Sequence, residues 1–218
     1  METAESADSL PFDIVLRDGS TLALRPARAT DVPELCAFFE ALSPTSRYYR
    51  FFSAACPDTE RVERLIPSAE EGAALVGEVG NRVVAFAGYY PDPIDGKRAE
   101  VAFAIADRLQ GRGIGTRVLE RLADLARPAG VRVFDAYVLA GNQKMMECFL
   151  DSGYRTSRHA DNGVVHVELS LEPTLDHLEK AAQRSQVAAA ASMKPFFEPR
   201  IVAVIGANRQ RGKIGAEI

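Results

Sequence analysis

The feature that most limits what this chain can fold into is a change of hydrophobic period across one bare loop. Residues 99–107 read AEVAFAIAD and alternate with period two, as a strand does. Residues 109–115 read LQGRGIG, with glycines at alternate positions. Beyond them Ile114, Val118, Leu122 and Leu125 recur along one side of a helix, which Pro128 ends. A strand that runs through a glycine loop into an amphipathic helix needs neighbours. The strand needs a ladder on each edge, and the helix needs a sheet face to cover.

Those neighbours are legible. Residues 73–79, 82–89, 131–138 and 164–171 are strand-like runs, and a further strand opens at Gly153-Tyr154 and reaches about Ser157. DIVLRDGSTLALRPA predicts a hairpin turning at Asp18-Gly19. Asp31 and Glu34 stand at capping-box spacing, ahead of Leu35, Phe38, Phe39 and Leu42 at helical intervals. SPTSRYYRFFSA, a short stretch from Thr59 to Leu65, and Asn142 to Ser152 read as further helices. The expectation is one α/β domain over residues 1–172. Residues 173–193 follow as an alanine-rich linker or helix. At 194 something new opens: IVAVIG reads as a buried strand before a glycine turn. It has no room to be completed by Ile218, so we expect a larger two-module protein.

Composition narrows the function. Nearly half the residues are hydrophobic, enough for one good core, and the net charge is −4. An acidic balance without clustered basic residues argues against nucleic acid as partner. No apolar run approaches the ~20 residues that cross a bilayer, and METAESADSLPFD lacks the features of a secretory signal. Cys36, Cys56 and Cys148 have no metal-ligand spacing and read as space-filling thiols in a reducing, cytoplasmic setting. No metal site is expected. His159 and His166 flank an Asp-Asn-Gly turn and read as surface residues.

The loop carries the chemistry. The first turn of a helix presents unpaired N–H groups and the positive end of its dipole. Glycines remove the side chains that would hold an anion away. Gly111, Gly113 and Gly115, with the N–H groups of Arg112, Ile114 and Thr116, can wrap a pyrophosphate. Taken alone, the triplet is equally consistent with a tight turn and no ligand. The preceding strand favours the ligand. Val101, Phe103 and Ile105 share one face, while Glu100, Ala102, Ala104 and Ala106 share the other. We expect that alanine track to let a narrow, amide-containing chain lie along the strand.

Gln110 to Gly115 form a Q-x-x-G-x-G stretch after a strand, and NQKMMECFLDSGY (142–154) forms an Asn-containing helix ending in Gly-Tyr. On these motifs the chain resembles the GNAT N-acetyltransferases. The resemblance implies a mixed, mostly antiparallel sheet flanked by helices, whose two central strands splay apart to admit acetyl-CoA. It places Phe103, Ala104 and Ile105 on the pantetheine arm, with Asn142 reaching that arm, and residues 110–116 around the pyrophosphate. LRDGSTLALRPARATDVPELCAFFEALSPTSRYYRFFSA resembles the start of Pat-type bacterial protein lysine acetyltransferases. MKPFFEPRIVAVIGANRQRGKIG is similar to the opening of the CoA-binding domain of NDP-forming acyl-CoA synthetases. The Pat-type resemblance implies a protein acceptor, an AMP-forming acyl-CoA synthetase. Glu100 falls where this group carries its base.

Two alternatives stay open on the sequence: acetylation of a small amine, and a module that senses acyl-CoA without turnover. Phe149 stands where many GNATs have a proton-donating tyrosine. Tyr137 and Tyr154 are the tyrosines near it in sequence. Arg47 and Arg50 border the expected acceptor side and could meet an acidic protein.

Overall fold

The computed structural model describes residues 12–199 and residue 201. Its strands are β1 (Phe12–Val15), β2 (Thr21–Pro26), β3 (Ala73–Val79), β4 (Arg82–Pro91), β5 (Arg98–Ile105), β6 (Val133–Leu139), β7 (Arg155–Asp161) and β8 (Val164–Ser170). Its helices are α1 (Val32–Ala41), α2 (Pro44–Phe51), α3 (Thr59–Glu63), α4 (Ile114–Ala126), α5 (Gln143–Ser152) and α6 (Leu175–Phe197). The strands form one sheet in the order β1-β2-β3-β4-β5-β6-β8-β7. Every pairing is antiparallel except β5 with β6.

That exception creates the site. The parallel ladder holds only Arg98, Ala99 and Glu100 against Val133, Phe134 and Asp135. Its N-terminal end is pinned by Lys97, whose carbonyl accepts from the N–H groups of both Arg132 (2.7 Å) and Val133 (3.1 Å). Beyond Glu100 the strands separate. β5 stays laddered to β4 and β6 to β8, and each half-sheet follows its own twist.

Two apolar layers cover the sheet. On one face Val101, Phe103, Phe134 and Leu169 of the sheet pack with Leu119 and Leu122 of α4 and Phe149 of α5. On the other, Leu35, Phe39 and Phe51 pack on Val76, Phe86 and Ala104. This second layer draws on β3, β4 and β5 and on none of β6, β7 or β8. The face of those three strands on the α1–α3 side therefore carries no helical layer among the described residues.

The alanine track has a different use from the one expected. Ala104 is buried against Phe86 in the α1–α3 layer, and only Ala102 lines the cleft. The small side chains let the helices sit close, while the open gap lies at the strand edge.

Asp31 does not cap α1. Its carboxylate receives both terminal nitrogens of Arg25 (2.7 and 2.9 Å) and the N–H of Arg28 (2.7 Å), and it makes no cap bond to the helix. A buried carboxylate is better satisfied by a bidentate arginine than by one helix N–H. β7 runs four residues past the expected end at Ser157, because it pairs with β8 as far as Asp161↔Val164. As an exposed edge strand without apolar alternation, it leaves little trace in sequence.

Residues 175–197 form a helix docked on the domain. Thr174 caps it and also donates to the Gly153 carbonyl (2.8 Å). His177 is buried, stacked on Tyr154 with ring centroids 4.0 Å apart. Arg184 bonds Glu120 on α4 and the Asp151 carbonyl on α5. The expected second unit from residue 194 lies, after the last turn of α6, almost wholly outside the described residues.

Candidate active site

The divergence of β5 and β6 leaves a narrow cleft, lined by Tyr49, Arg50, Val101, Ala102, Phe103, Ala136, Tyr137, Val138, Asn142, Met145 and Phe149. Its walls are backbone edges without a ladder partner, so a linear amide-bearing ligand could complete them in the manner of an added strand.

At one end lies the glycine loop. Gly111 (φ +76°) and Gly113 (φ +82°) are in the left-handed region, and Gly113 is the N-cap of α4. Among the described residues no side chain caps that helix, so its first N–H groups are left for another acceptor. Gly115 has a separate reason. A Cβ there would lie 3.1 Å from Cys148 Sγ and 3.3 Å from Phe103 Cε2, so glycine lets α4 press onto α5 and β5. Ile114 and Thr116 are buried, and the Arg112 side chain is paired with Asp18 on the β1–β2 turn (3.0 Å).

Gln110 braces the loop. Its Nε2 donates to Ser46 Oγ on α2 (3.2 Å) and to the Ile105 carbonyl (3.1 Å), and its Oε1 accepts from Lys144 Nζ on α5 (3.0 Å). Asp107 assists by accepting from Ser43 and Ser46. Burial opposes its ionisation, but those hydrogen bonds prevail and hold its carboxyl below the usual range. α2 is thereby tied to the loop.

Asn142 is buried at the start of α5. Its Oδ1 accepts from the Met145 N–H (3.2 Å), while its Nδ2 has no protein acceptor among the described residues and the side chain lines the cleft. Phe103 and Phe149 pack edge to face, centroids 6.3 Å apart. Phe149 is 2% exposed and can donate no proton. Cys148 is part-buried beside the loop, and burial pushes its thiol up to about 12.

At the other end Glu100 stands exposed on β5, opposite Tyr90 on β4 and level with Asp135 on β6. By the pleat, its side chain shares a face with Tyr90, Arg98, Asp135 and Tyr137. Tyr90 donates to the Leu65 carbonyl (2.8 Å), and burial pushes its hydroxyl up to about 12. Tyr49 crosses the cleft from α2 and donates to the Gly141 carbonyl (3.0 Å). The arginines of α2 divide. Arg47 is structural, its guanidinium holding the carbonyls of Glu40, Leu42 and Ala54. Arg50 faces the cleft.

The residues least visible in sequence form a network beside Glu100. Arg98 Nη2 bonds both Asp135 Oδ1 and Glu168 Oε1 at 2.5 Å. His166 Nε2 lies 2.6 Å from Asp135 Oδ1, and Tyr137 stacks on its ring at 4.9 Å. The carboxylates Asp135 and Glu168 with His166 have ligand atoms within 4.8 Å of one another, yet Arg98 already supplies the positive charge they share. His166 is therefore part of the polar sheet face, and not an isolated surface residue. Only the β6–β8 register, which sets Tyr137 against His166 and Asp135 against Glu168, reveals this. Tyr154 lies elsewhere, buried under α6 and hydrogen-bonded by Arg127 (3.1 Å).

A bare glycine loop, a gap between unladdered strand edges and an exposed carboxylate at its far end thus lie together. Residues 36–154 match the acetyltransferase (GNAT) family. The chain belongs to that family. GNAT enzymes use acetyl-CoA, and the residues around the cleft fit it: unladdered strand edges for the pantetheine amides and an uncapped helix start for the phosphates.

The chain is 31% identical over 166 residues to acetyltransferase Pat of Mycolicibacterium smegmatis, covering 75% of this chain and 50% of that protein. It thus spans half the length of that relative. It is 30% identical over 160 residues to acetyltransferase PA5475 of Pseudomonas aeruginosa, covering 69% of this chain and 85% of the other. Among solved structures, the GNAT domain of S. lividans PAT superposes with a TM-score of 0.69 at 35% identity, over 73% of this chain and 96% of that one. The structure of yncA from Salmonella typhimurium, solved with acetyl-CoA, shares the fold at 19% identity and a TM-score of 0.55, over 71% of this chain and 96% of that one.

No helix among the described residues is long and apolar enough to cross a membrane.

Proposed function

We propose that this GNAT domain transfers the acetyl group of acetyl-CoA to the ε-amine of a lysine in a protein, and that the protein is an AMP-forming acyl-CoA synthetase in the cytoplasm. The observation that supports a protein acceptor is the helix-free polar face of β6, β8 and β7. It adjoins Glu100 and Arg98 of β5 and carries Tyr137 at 52% exposure, with His166, Glu168 and Ser157. A small amine is better held by a closed pocket, whereas a folded partner needs a broad surface. The likeness to Pat acetyltransferases supports the choice of partner. We also read residues 194–218 as the opening of a CoA-binding module joined to residues 1–172.

The residue roles follow. The pyrophosphate sits on residues 110–116. The pantetheine amides meet the β5 edge at Phe103, Ala104 and Ile105, with Asn142 Nδ2 donating from the other wall. A lysine of pKa near 10.4 is only about one part in 10³ neutral at pH 7, so its deprotonation costs about 4–5 kcal/mol. Glu100 takes that proton directly or through one water. The neutral nitrogen attacks the thioester carbonyl, strand N–H groups receive the developing oxyanion, and the C–S bond breaks. A CoA thiol of pKa near 8.5, by analogy with cysteine, can leave as thiolate, and the second proton of the attacking nitrogen passes to it through water. Of the two tyrosines near Phe149 in sequence, Tyr137 lines the cleft and is placed to assist, whereas Tyr154 is remote from it.

The test is thiol release from acetyl-CoA with a purified acetyl- or acetoacetyl-CoA synthetase, and separately with a panel of free amines. Release that requires the synthetase, with acetyl-lysine found in it by mass spectrometry, is the expected result. Release with free amines alone would make the enzyme a small-molecule acetyltransferase. Tight acetyl-CoA binding with no release from any acceptor would refute the enzymatic reading.

A further inference from the structure

Arg50 is the cleft's unsatisfied cation. Its Nε is enclosed by protein, yet the guanidinium makes no hydrogen bond and no ion pair among the described residues. Its terminal nitrogens are not enclosed in this way, and the residue lines the cleft with Tyr49, Ala102 and Tyr137. Three other arginines of this region are engaged by oxygen acceptors. Arg47 is spent on three carbonyls, Arg64 on Glu60 and Arg98 on two carboxylates. Arg50 instead rests over the Phe51 ring at 4.9 Å, with Arg61 on that ring at 5.0 Å. Two guanidiniums thus share one ring, and neither has a carboxylate within ion-pair distance among the described residues.

Leaving an enclosed donor unfilled is costly in a folded protein. Burial pushes the Arg50 guanidinium downward, and Tyr90 and Glu100 are the groups that favour its charged form. Glu100 nevertheless stands outside ion-pair distance of it. The acceptor end of the cleft thus holds an exposed carboxylate and a separate cation whose donors are vacant. An acceptor that brings an ammonium to Glu100 and a carboxylate to Arg50 would satisfy both. Arginine suits this task because its planar fork meets a carboxylate with two parallel bonds.

We propose that Arg50 is a specificity residue that binds a carboxylate carried by the acceptor beside its target amine, supplied by an aspartate or glutamate next to the lysine of a protein. This rests on the protein-acceptor reading above. The same chemistry could come from the α-carboxylate of a free amino acid, so the experiment separates the two sources.

Thiol release from acetyl-CoA is measured with matched acceptor pairs. One pair is a lysine peptide with glutamate flanking the lysine and its glutamine counterpart. The other is free lysine and lysinamide. Native protein, Arg50→Gln and Arg50→Lys are compared, each verified as folded by the rise in its melting temperature with acetyl-CoA. Native protein is expected to favour the glutamate peptide by about 10- to 100-fold in kcat/KM, the range of a charge-assisted pair. Arg50→Gln should bring that ratio to near one, and Arg50→Lys should keep part of it. A native ratio near one, or one that survives in Arg50→Gln, would overturn the proposal while leaving protein acetylation intact. If only the free pair is turned over, with a carboxylate preference lost in Arg50→Gln, Arg50 keeps its role and the protein acceptor is refuted. No turnover of any acceptor would overturn both. The native ratio decides even if a variant does not fold.

Discussion

Glu100→Gln tests the mechanism most directly, because the structure allows no understudy. The carboxylate level with it, Asp135, is held by Arg98 at 2.5 Å and by His166 at 2.6 Å, and the next, Glu168, is bonded by Arg98 and Ser157. Neither can turn toward an incoming amine without abandoning a charged partner. Without Glu100 the reaction must draw on lysine that is already neutral, about one part in 10³ at pH 7. The expected loss at pH 7 is about 10²- to 10⁴-fold in kcat/KM, the usual worth of a positioned base. The neutral fraction rises about 100-fold between pH 7 and pH 9, so the deficit of the variant should shrink by nearly that factor over the interval. The assay is thiol release with a protein acceptor, run for both proteins at half-unit steps of pH. A deficit that stays constant with pH would mean that Glu100 positions the acceptor and moves no proton. A deficit below about threefold at pH 7 would remove Glu100 from the mechanism.

Three further outcomes follow from packing and charge. Gly115→Ala should destabilise the protein by about 1 kcal/mol through overpacking against Cys148. In a Cys148→Ala background the same change should be tolerated, and additive urea-unfolding energies would contradict this coupling. Arg25 and the Arg28 N–H hold the Asp31 carboxyl below its ordinary value, even though burial pushes the other way. Its contribution is therefore complete above the unfolded pKa of about 3.9 and is lost as pH falls through the folded value. Asp31→Asn should cost about 1.5–3 kcal/mol near neutrality, with the gap to the native protein closing in acid; a pH-independent gap would argue against the ion pair. Iodoacetamide at pH 8 should label exposed Cys56 and leave Cys148 unlabelled until the chain unfolds, since burial pushes the Cys148 thiol up to about 12. Labelling of Cys148 in the native state, detected by mass spectrometry, would show that α5 opens.

What the sequence determined by itself was the local grammar. Period two in AEVAFAIA, glycines at 111 and 113 and period 3.6 from Ile114 placed the strand, the loop and the helix without reference to anything distant, because alternation, positive φ and helical burial are each decided within a few residues. Asn142 at a helix start and Phe149 in that helix were legible for the same reason. Strand register and helix docking are decided between segments far apart in the chain. The parting of β5 and β6 after Glu100 depends on which half-sheet each strand follows. Asp31 looked like a cap until Arg25 arrived from β2 to claim it. His166 looked like surface until β6 set Asp135 and Tyr137 against it. Arg47 and Arg50 sit three residues apart on one short helix and read alike as sequence. The fold sends one to a cluster of carbonyls and leaves the other at the cleft with its donors unfilled, because a guanidinium's role depends on the acceptors that tertiary packing brings within about 3 Å.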